Sequence, residues 1–336
     1  MTGKGIDRRV ALGILGASGY SLLARQAISP SGAAHAFDIP RESLKSFTKG
    51  GQDVLLDILN SGDFRGEIPA VRSEELQKLE RKTAFEVMLD LLPVAQVFAR
   101  PPISNFRVGA VVRGTSGDLY LGANLEIPGQ ALSFSVHAEQ AASSNAYMQG
   151  ADAIMAIALT AAPCGHCRQF LEELSPGGDI NVIVRGSEPI RLKSLLPSAF
   201  GPSDLGLKHG ALPIERVEIE LIDRSPDSLT STAVSAARIS YAPYTKAYSG
   251  VAMMLSDGSL HSGTYIENAA FNPSLPALQV AFISALNARK ALEQIEDVVL
   301  VELDTAVISQ YPVFEVVVRS VSPNARVRRV FGRKAS

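Results

Sequence analysis

The chain has 336 residues, of which 46% are hydrophobic and 20% charged, and its formal net charge is −2. This length accommodates two domains, and the composition is typical of a globular protein. The near-neutral charge provides no broad basic surface for nucleic acid, and no apolar run reaches the ~18 residues of a membrane-spanning helix. Two cysteines exclude a disulfide framework. We therefore expect a small, roughly neutral substrate.

The first 36 residues have two interpretations. Arg8-Arg9, a low-charge run over residues 10–24 and Ala34-His35-Ala36 have the order of a twin-arginine export signal. The alternative is an N-terminal extension that is not cleaved. Either way the segment lies outside the predicted fold. The expected location is the cytoplasm, with the periplasm as the alternative if the signal operates.

Residues 37–83 predict short helices, because apolar residues such as Val54, Leu55 and Ile58 recur at helical spacing. A buried helix is predicted over residues 84–99, ended by Arg100-Pro101-Pro102. Two strands follow, over residues 106–112 and 118–122, around a Gly-rich turn.

Two polar residues, Asn124 and Glu126, come directly after the second predicted strand. Side chains at i and i+2 of an extended segment point to the same side. They could therefore exchange hydrogen bonds with the hydroxyls of a sugar. The alternative is that they are ordinary polar residues of a loop.

The motif with the clearest chemistry runs from His137-Ala138-Glu139 to Pro163-Cys164-Gly165-His166-Cys167. One histidine and two cysteines supply three zinc ligands and leave a fourth position for water. Glu139 is close enough to His137 to reach that water without binding the metal. H-x-E followed by P-C-x-x-C is the signature of zinc-dependent nucleobase deaminases. A redox pair or a structural half-site is the alternative, but neither explains both His137 and Glu139.

Both halves of this motif are predicted at helix N-termini. One helix begins at His137, a buried strand covers residues 153–160, and a second helix runs from Pro163 to Leu174. Two thiolates make the metal centre formally neutral, which weakens its ability to lower the pKa of the bound water. Helix N-terminal N–H groups partly offset the thiolate charge and lower thiol pKa values.

The second half of the chain resembles the first. After a predicted linker over residues 203–228, Gly258, Gly263 and Glu267 follow Gly117, Gly122 and Glu126 at one constant offset. At the next motif Pro276-Ala277-Leu278-Gln279 replaces His137-Ala138-Glu139-Gln140. We therefore predict a duplicated unit, residues 229–336, that has lost its zinc ligands, with chance similarity as the alternative. Its basic C-terminus is predicted to be a solvated end rather than a nucleic-acid arm.

Taken together, these motifs resemble cytidine deaminase in its long two-domain form. The resemblance covers residues 84 to the C-terminus and is strongest at 104–110, 124–126, 136–140, 163–169 and 267–273. It implies an α/β protein with two three-layer α/β/α domains containing mixed sheets, the catalytic one over residues 84–202 and preceded by a small helical segment at 37–83. It also implies a homodimer in which the zinc-free domain completes the partner's active site, with no nucleic-acid or membrane partner.

The resemblance also implies roles for individual residues. One Zn²⁺ per chain would be held by His137, Cys164 and Cys167, with Glu139 as the catalytic proton shuttle. The implied substrate contacts are Asn124 and Glu126 for ribose, Phe106 packed on the pyrimidine, Ala138 beside it, and Phe200 as a wall of the base pocket.

The expected activity is hydrolytic deamination of cytidine and deoxycytidine to uridine and deoxyuridine, with release of ammonia, in pyrimidine salvage. Zinc-bound hydroxide would attack C4 while Glu139 carries the protons. The alternatives are a deaminase of another base or nucleotide, and a zinc-binding protein without catalysis.

Overall fold

The structure, a computed structural model, describes residues 37–175, 179–222 and 226–335. The predicted twin-arginine segment, including Arg8, Arg9 and residues 34–36, lies outside these ranges. In the described part of the chain, no helix is both long and apolar enough to cross a membrane.

Two short helices form in residues 37–83, as the apolar spacing predicted. Helix α1 spans Lys49–Leu59 and α2 spans Ala70–Glu80, and the short strand β1, Glu67–Ile68, lies between them. Helix α3, Ala84–Val97, begins with a capping box in which Thr83 and Glu86 exchange hydrogen bonds. These elements share one apolar cluster, which includes Leu44, Leu55, Leu59, Leu76, Leu91 and Phe98.

The first sheet has six strands in the order β1-β3-β2-β4-β5-β6. The added strands are β2 (Gly109–Gly114), β3 (Leu119–Ala123), β4 (Ile154–Leu159), β5 (Asn181–Val184) and β6 (Ile190–Arg191). Only β4 and β5 pair in parallel, so the sheet is mixed. Strand β2 begins three residues later than predicted, because residues 106–108 form a loop held by the Asn124 side chain.

Helices cover both faces of this sheet. Helix α4, Ala138–Met148, packs with Ala110 and Val112, whereas α3 packs with Val111 between them. Because successive residues of a strand face opposite sides, this alternation places α3 and α4 in separate layers. Helix α5, Gly165–Leu174, lies beside α4, and α6, Leu192–Leu195, follows β6. The arrangement is the predicted three-layer α/β/α domain.

The second sheet has five strands in the order β7-β11-β10-β8-β9. Its elements in chain order are β7 (Ile219–Leu221), α7 (Ser228–Arg238), β8 (Ser249–Leu255), β9 (Leu260–Thr264), α8 (Ala277–Asn287), β10 (Ile295–Leu303), α9 (Tyr311–Val321) and β11 (Arg326–Lys334). Strand β7 falls within residues 203–228, so the segment expected to link the two units supplies one strand of this sheet.

The internal duplication is visible in the pairing of the strands. In both units a central hairpin is antiparallel, the next strand joins it antiparallel, and the strand beyond joins in parallel. The isolated bridges Arg100–Leu125 and Leu125–Val136 recur as Tyr241–Ile266 and Ile266–Leu275. Helix α8 stands where α4 stands in the first unit. The predicted duplication is therefore confirmed at the level of backbone pairing.

The basic C-terminus forms strand β11 of the second sheet rather than a free end, although four of its basic residues are exposed: Arg326, Arg329, Arg333 and Lys334. Strand β11 lies between β10 and β7. Its Arg328 pairs with Asp227 at 2.7 Å and with Asp297 at 3.0 Å, and Arg333 pairs with Asp304 at 2.7 Å. The positive charges looked unpartnered in the sequence because the carboxylates that neutralise them come from distant segments.

Candidate metal centre and active site

The three predicted ligands are brought to two adjacent helix N-termini. His137 is the residue immediately before α4, and Cys164 is the residue immediately before α5. Cys167 lies in the first turn of α5 and is buried, whereas His137 and Cys164 are exposed. Helix α5 therefore begins one residue after Cys164 rather than at Pro163.

The spacing of the donor atoms fits one tetrahedral zinc ion. His137 Nδ1 lies 3.5 Å from Cys164 Sγ and 3.3 Å from Cys167 Sγ, and the two sulfurs are 3.6 Å apart. Two sulfurs bound to one tetrahedral zinc are separated by about 3.8 Å, and a sulfur and a nitrogen by about 3.6 Å. In the described part of the chain, this is the one group of three such donors close enough to share an ion. The fourth position would be left for water.

The electrostatics of the pair favour a thiolate. The hydrogen bond with Cys167 lowers the pKa of Cys164 to about 4, and the same bond together with burial raises the pKa of Cys167. Cys164 is therefore the sulfur that loses its proton more readily. Binding a divalent cation would require Cys167 to lose its proton as well, since metal-binding sulfurs are deprotonated.

Glu139 lies in the first turn of α4, next to the three donors. Its side chain is buried, and burial raises the pKa of its carboxyl group. The nearby groups that act on its charge are His137, Cys167 and Cys164. A carboxyl group whose pKa is raised holds a proton more readily than a free one, which suits it to take up and pass on a proton beside a metal centre.

Asn124, the residue after β3, hydrogen-bonds to the loop that contains Phe106. Its Oδ1 accepts from the Val108 N–H, and its Nδ2 donates to the Phe106 carbonyl, both at 2.9 Å. The neighbouring Leu125 exchanges backbone hydrogen bonds with Val136, the residue before His137. The structure therefore brings Asn124 and Phe106 together and links both to the start of α4. The Phe106 ring is 62% exposed.

Glu126 holds the same loop from the other side. Its carboxylate accepts from the N–H groups of Ile103 and Ser104 at 2.8 and 2.9 Å and from Ser104 Oγ at 2.5 Å. These bonds lower its pKa against the opposing effect of partial burial. Glu267 makes the equivalent bonds in the second unit, to Tyr244 N, Thr245 N and Thr245 Oγ1. This interaction is thus present in both units, whether or not zinc ligands are.

The two remaining predicted substrate residues lie on α4 or beside α5. Ala138 is the first residue of α4 and is buried. Phe200 lies beyond the first sheet, where its carbonyl accepts from Gln169 Nε2 of α5 at 2.6 Å, and its ring is half exposed.

Gln140 supports the site and was not predicted from the motif. Gln140 is buried, and its Oε1 accepts from the backbone N–H of His137 at 3.3 Å. It therefore fixes the backbone of a predicted ligand. Its position three residues after the residue that precedes the helix is the spacing of a capping box, and that signal could have identified it.

The fold and the site define a class of protein. A histidine and two cysteines at adjacent helix N-termini, with a buried glutamate beside them in a three-layer α/β/α domain, are the construction of a zinc-dependent deaminase. The donor set binds Zn²⁺ in preference to hard cations, because two of the three ligands are thiolates.

Two family models and the sequences of known proteins agree with this class. Two family models, both described as "Cytidine and deoxycytidylate deaminase zinc-binding region", match residues 82–182 and 192–314. A cytidine deaminase of Shewanella pealeana is 44% identical over 268 residues, which is 79% of this chain and 90% of that protein. One from Shewanella oneidensis is 44% identical over 257 residues, 76% of this chain and 86% of that protein. The crystal structure of cytidine deaminase from Mycobacterium tuberculosis is 28% identical, covers 36% of this chain and 99% of that chain, and has a TM-score of 0.33. The chain belongs to the cytidine deaminase family.

Proposed function

We propose that this protein hydrolyses cytidine and deoxycytidine to uridine and deoxyuridine, releasing ammonia, as in pyrimidine salvage. The observation that carries the proposal is the buried Glu139 carboxyl beside the His137, Cys164 and Cys167 donors. A scaffold that only bound zinc would need the three donors but would gain nothing from a buried acid next to them. Family membership supports the same reaction.

In this proposal His137, Cys164 and Cys167 hold the metal, and Glu139 moves the protons. When bound, zinc supplies a Lewis acid that lowers the pKa of water. Glu139 takes one proton from the attacking water and delivers it to ring N3 of the pyrimidine. It then takes the remaining proton of the new C4 hydroxyl and gives it to the amine, which leaves as ammonia while the C4 carbonyl forms. A positioned acid–base group of this kind contributes on the order of 10²- to 10⁴-fold in rate.

The remaining proposed contacts select a nucleoside. Asn124 and Glu126 bind ribose hydroxyls through the donors and acceptors that do not take part in their contacts with the loop. Asn124 Nδ2 retains a second N–H, and each Glu126 oxygen can accept further bonds. Phe106 packs on the pyrimidine, and Ala138 and Phe200 border the base.

The catalytic unit is proposed to span residues 84–202 and the zinc-free unit residues 229–336. The segment between them, residues 203–228, connects the units and also contributes strand β7 to the second sheet. We further propose a homodimer in which the zinc-free unit completes the partner's site. Support comes from large apolar side chains that are exposed in the single chain, at Leu132 (72%), Phe106 (62%) and Phe271 (62%). Sedimentation equilibrium at micromolar concentration should give twice the chain mass, and a monomer at that concentration would contradict the dimer.

The test of the activity is a spectrophotometric assay with cytidine, deoxycytidine, dCMP and adenosine, together with zinc analysis. Glu139→Gln should retain one zinc per chain and lose nearly all turnover, because the amide cannot carry the proton. Activity of Glu139→Gln equal to that of the wild type would refute the assignment of Glu139. Activity on dCMP or adenosine alone would favour the alternative deaminases, and zinc without any turnover would favour a binding protein.

The proposed location is the cytoplasm, with twin-arginine export as the alternative. N-terminal sequencing of the protein purified from its natural host distinguishes them, because export would remove the residues up to Ala36. A chain that retains Arg8 and Arg9 would exclude cleavage at that position.

A further inference from the structure

Glu173 is a fully buried carboxylate in the last turn of α5, the helix that carries Cys167 at its other end. Its Oε1 accepts from the hydroxyls of Tyr241 and Tyr244 at 2.8 and 2.6 Å. Its Oε2 accepts from the backbone N–H of Ala269 at 2.8 Å. All three donors belong to the second unit, whereas Glu173 belongs to the first.

A carboxylate is costly to bury unless hydrogen bonds replace its lost water. Three donors from three positions of the second unit offset part of this cost, although burial still raises the pKa of Glu173. Hydrogen bonds to a charged acceptor are also stronger and more directional than neutral ones. The contact therefore fixes the position of the α5 backbone more closely than apolar packing does. The buried Phe170, Leu171 and Leu174 of the same helix set its distance from the sheet, but such contacts are non-directional.

A second contact lies one turn earlier on the same face of α5. The Gln169 carbonyl accepts from Asn268 Nδ2 at 3.0 Å. Residues four apart on a helix share a face, so Gln169 and Glu173 both meet the segment at residues 268–269. Rotation of α5 about its axis would break both contacts and would also move Cys167.

The segment at residues 268–273 of the second unit also contacts α4, the helix that His137 precedes. The Pro273 carbonyl accepts from Gln140 Nε2 at 3.4 Å, and Gln140 Oε1 accepts from the His137 N–H at 3.3 Å. Residues 268–273 therefore contact both helices whose N-termini hold the predicted ligands. This is a contact within one chain and is separate from any contribution to a partner's site.

We propose that Glu173 is a positioning residue through which the zinc-free unit sets the orientation of α5, and so of Cys164 and Cys167, within the same chain. The inference rests on the zinc role given under Proposed function. It assigns to the duplicated unit a task in its own chain, which is to hold the metal-binding helix in the geometry that one ion requires.

The experiment compares three variants of the full-length protein with the wild type. Glu173→Gln turns an amide donor toward either the Ala269 N–H or the tyrosine hydroxyls. The double variant Tyr241→Phe/Tyr244→Phe keeps both rings and removes two donors. Tyr147→Phe is the matched control, because its hydroxyl is also buried and also joins the units, donating to the Ile239 carbonyl at 2.6 Å, but from α4.

Three quantities are measured for each variant: the rate of zinc release to a chelator, the visible spectrum of the Co²⁺-substituted protein, and kcat and KM for cytidine. Residues that orient metal ligands typically change metal affinity or activity by 10- to 100-fold when altered. We expect Glu173→Gln and the double variant to release zinc at least about 10-fold faster and to show altered cobalt bands. We expect kcat to fall more than KM rises, and Tyr147→Phe to match the wild type in all three.

Zinc release and cobalt spectra like those of the wild type in the double variant would overturn the proposal. So would equal changes in Tyr147→Phe, because any loss of contact between the units would then suffice. If Glu173→Gln does not fold, the double variant decides by the same criteria. Zinc release and the cobalt spectrum require no substrate, so a wild type that failed to deaminate cytidine would refute only the proposed function.

Discussion

At Gly122 strand β3 lies close against the helix that carries Glu139, and His137 directly precedes that helix. A Cβ atom added at Gly122 would lie 2.0 Å from the Ala142 nitrogen and 2.5 Å from its Cα. Both are backbone atoms of α4, so no side-chain rotation can relieve the contact. Gly122→Ala must therefore push α4 away from β3.

The size of the shift follows from these distances. Real Cβ atoms essentially never approach other heavy atoms within 3.0 Å, so α4 must move by about 1 Å. Overpacking of this kind costs about 1–3 kcal/mol of unfolding free energy. A displacement of about 1 Å at a catalytic group can reduce the rate on the order of 100-fold. We expect Gly122→Ala to fold with a lowered melting temperature and to lose about 100-fold in kcat.

The duplication provides the matched control. A Cβ at Gly263 would lie 2.2 Å from the Ala281 nitrogen of α8, in the equivalent packing of the second unit. Gly263→Ala should cost a similar amount of stability, but α8 carries none of the predicted ligands. Its loss of kcat should therefore be at least about 10-fold smaller. Thermal unfolding, zinc content and steady-state kinetics on both variants make the comparison.

Two outcomes would refute this reasoning. If Gly122→Ala is destabilised but retains wild-type kcat and zinc content, then catalysis does not depend on the exact position of α4. If both variants lose the same kcat, then the effect follows overall stability rather than the position of the predicted ligands.

Three further predictions concern single residues. Cys164→Ala should lose zinc and activity together, and zinc analysis showing a full complement would contradict its role as a ligand. Glu126→Gln should raise KM for cytidine by about 10-fold through one weakened charged hydrogen bond, whereas Glu267→Gln should leave KM unchanged. Burial lowers the pKa of His261 to about 4, below the ordinary value of 6.5. The unfolded chain therefore binds the extra proton first, and stability present above pH 6.5 is lost as the pH falls toward 4, by up to about 3 kcal/mol. His261→Leu should show less acid destabilisation in urea titrations, and an unchanged pH slope would reject this cause.

The candidate metal centre was predictable from sequence for a physical reason. Its three predicted ligands lie at the starts of two helices, and each helix start has a local signal. The spacing of Cys164 and Cys167 is one helical turn, and His137 precedes Glu139 within the first turn of its helix. The buried strand between them predicts that the two helices return to the same edge of the sheet. Residue spacings within two short motifs were therefore enough to predict that the three donors and Glu139 lie together.

The support of the site could not be predicted in this way. The sequence contains no local signal that Glu173 meets Tyr241 and Tyr244, about 70 residues away, or that the Arg328 guanidinium meets Asp227 and Asp297. Such pairs depend on how two sheets and their helices pack. The loop contacts of Asn124 and Glu126 are similar, since the sequence indicated two polar residues on one side but not that their first partners are backbone groups.

The sequence by itself determined the kind of chemistry, because zinc ligation and proton transfer require particular residue types at short, fixed spacings. It also determined the repeated order of strands and helices, since hydrophobic periodicity and glycine positions are local properties. Only the tertiary structure decided which groups meet: the buried carboxylate of Glu173 with hydroxyls of the second unit, and arginines of the last strand with carboxylates of distant segments. Burial and long-range hydrogen bonding are properties of packed surfaces, and these form only when segments far apart in the chain come into contact.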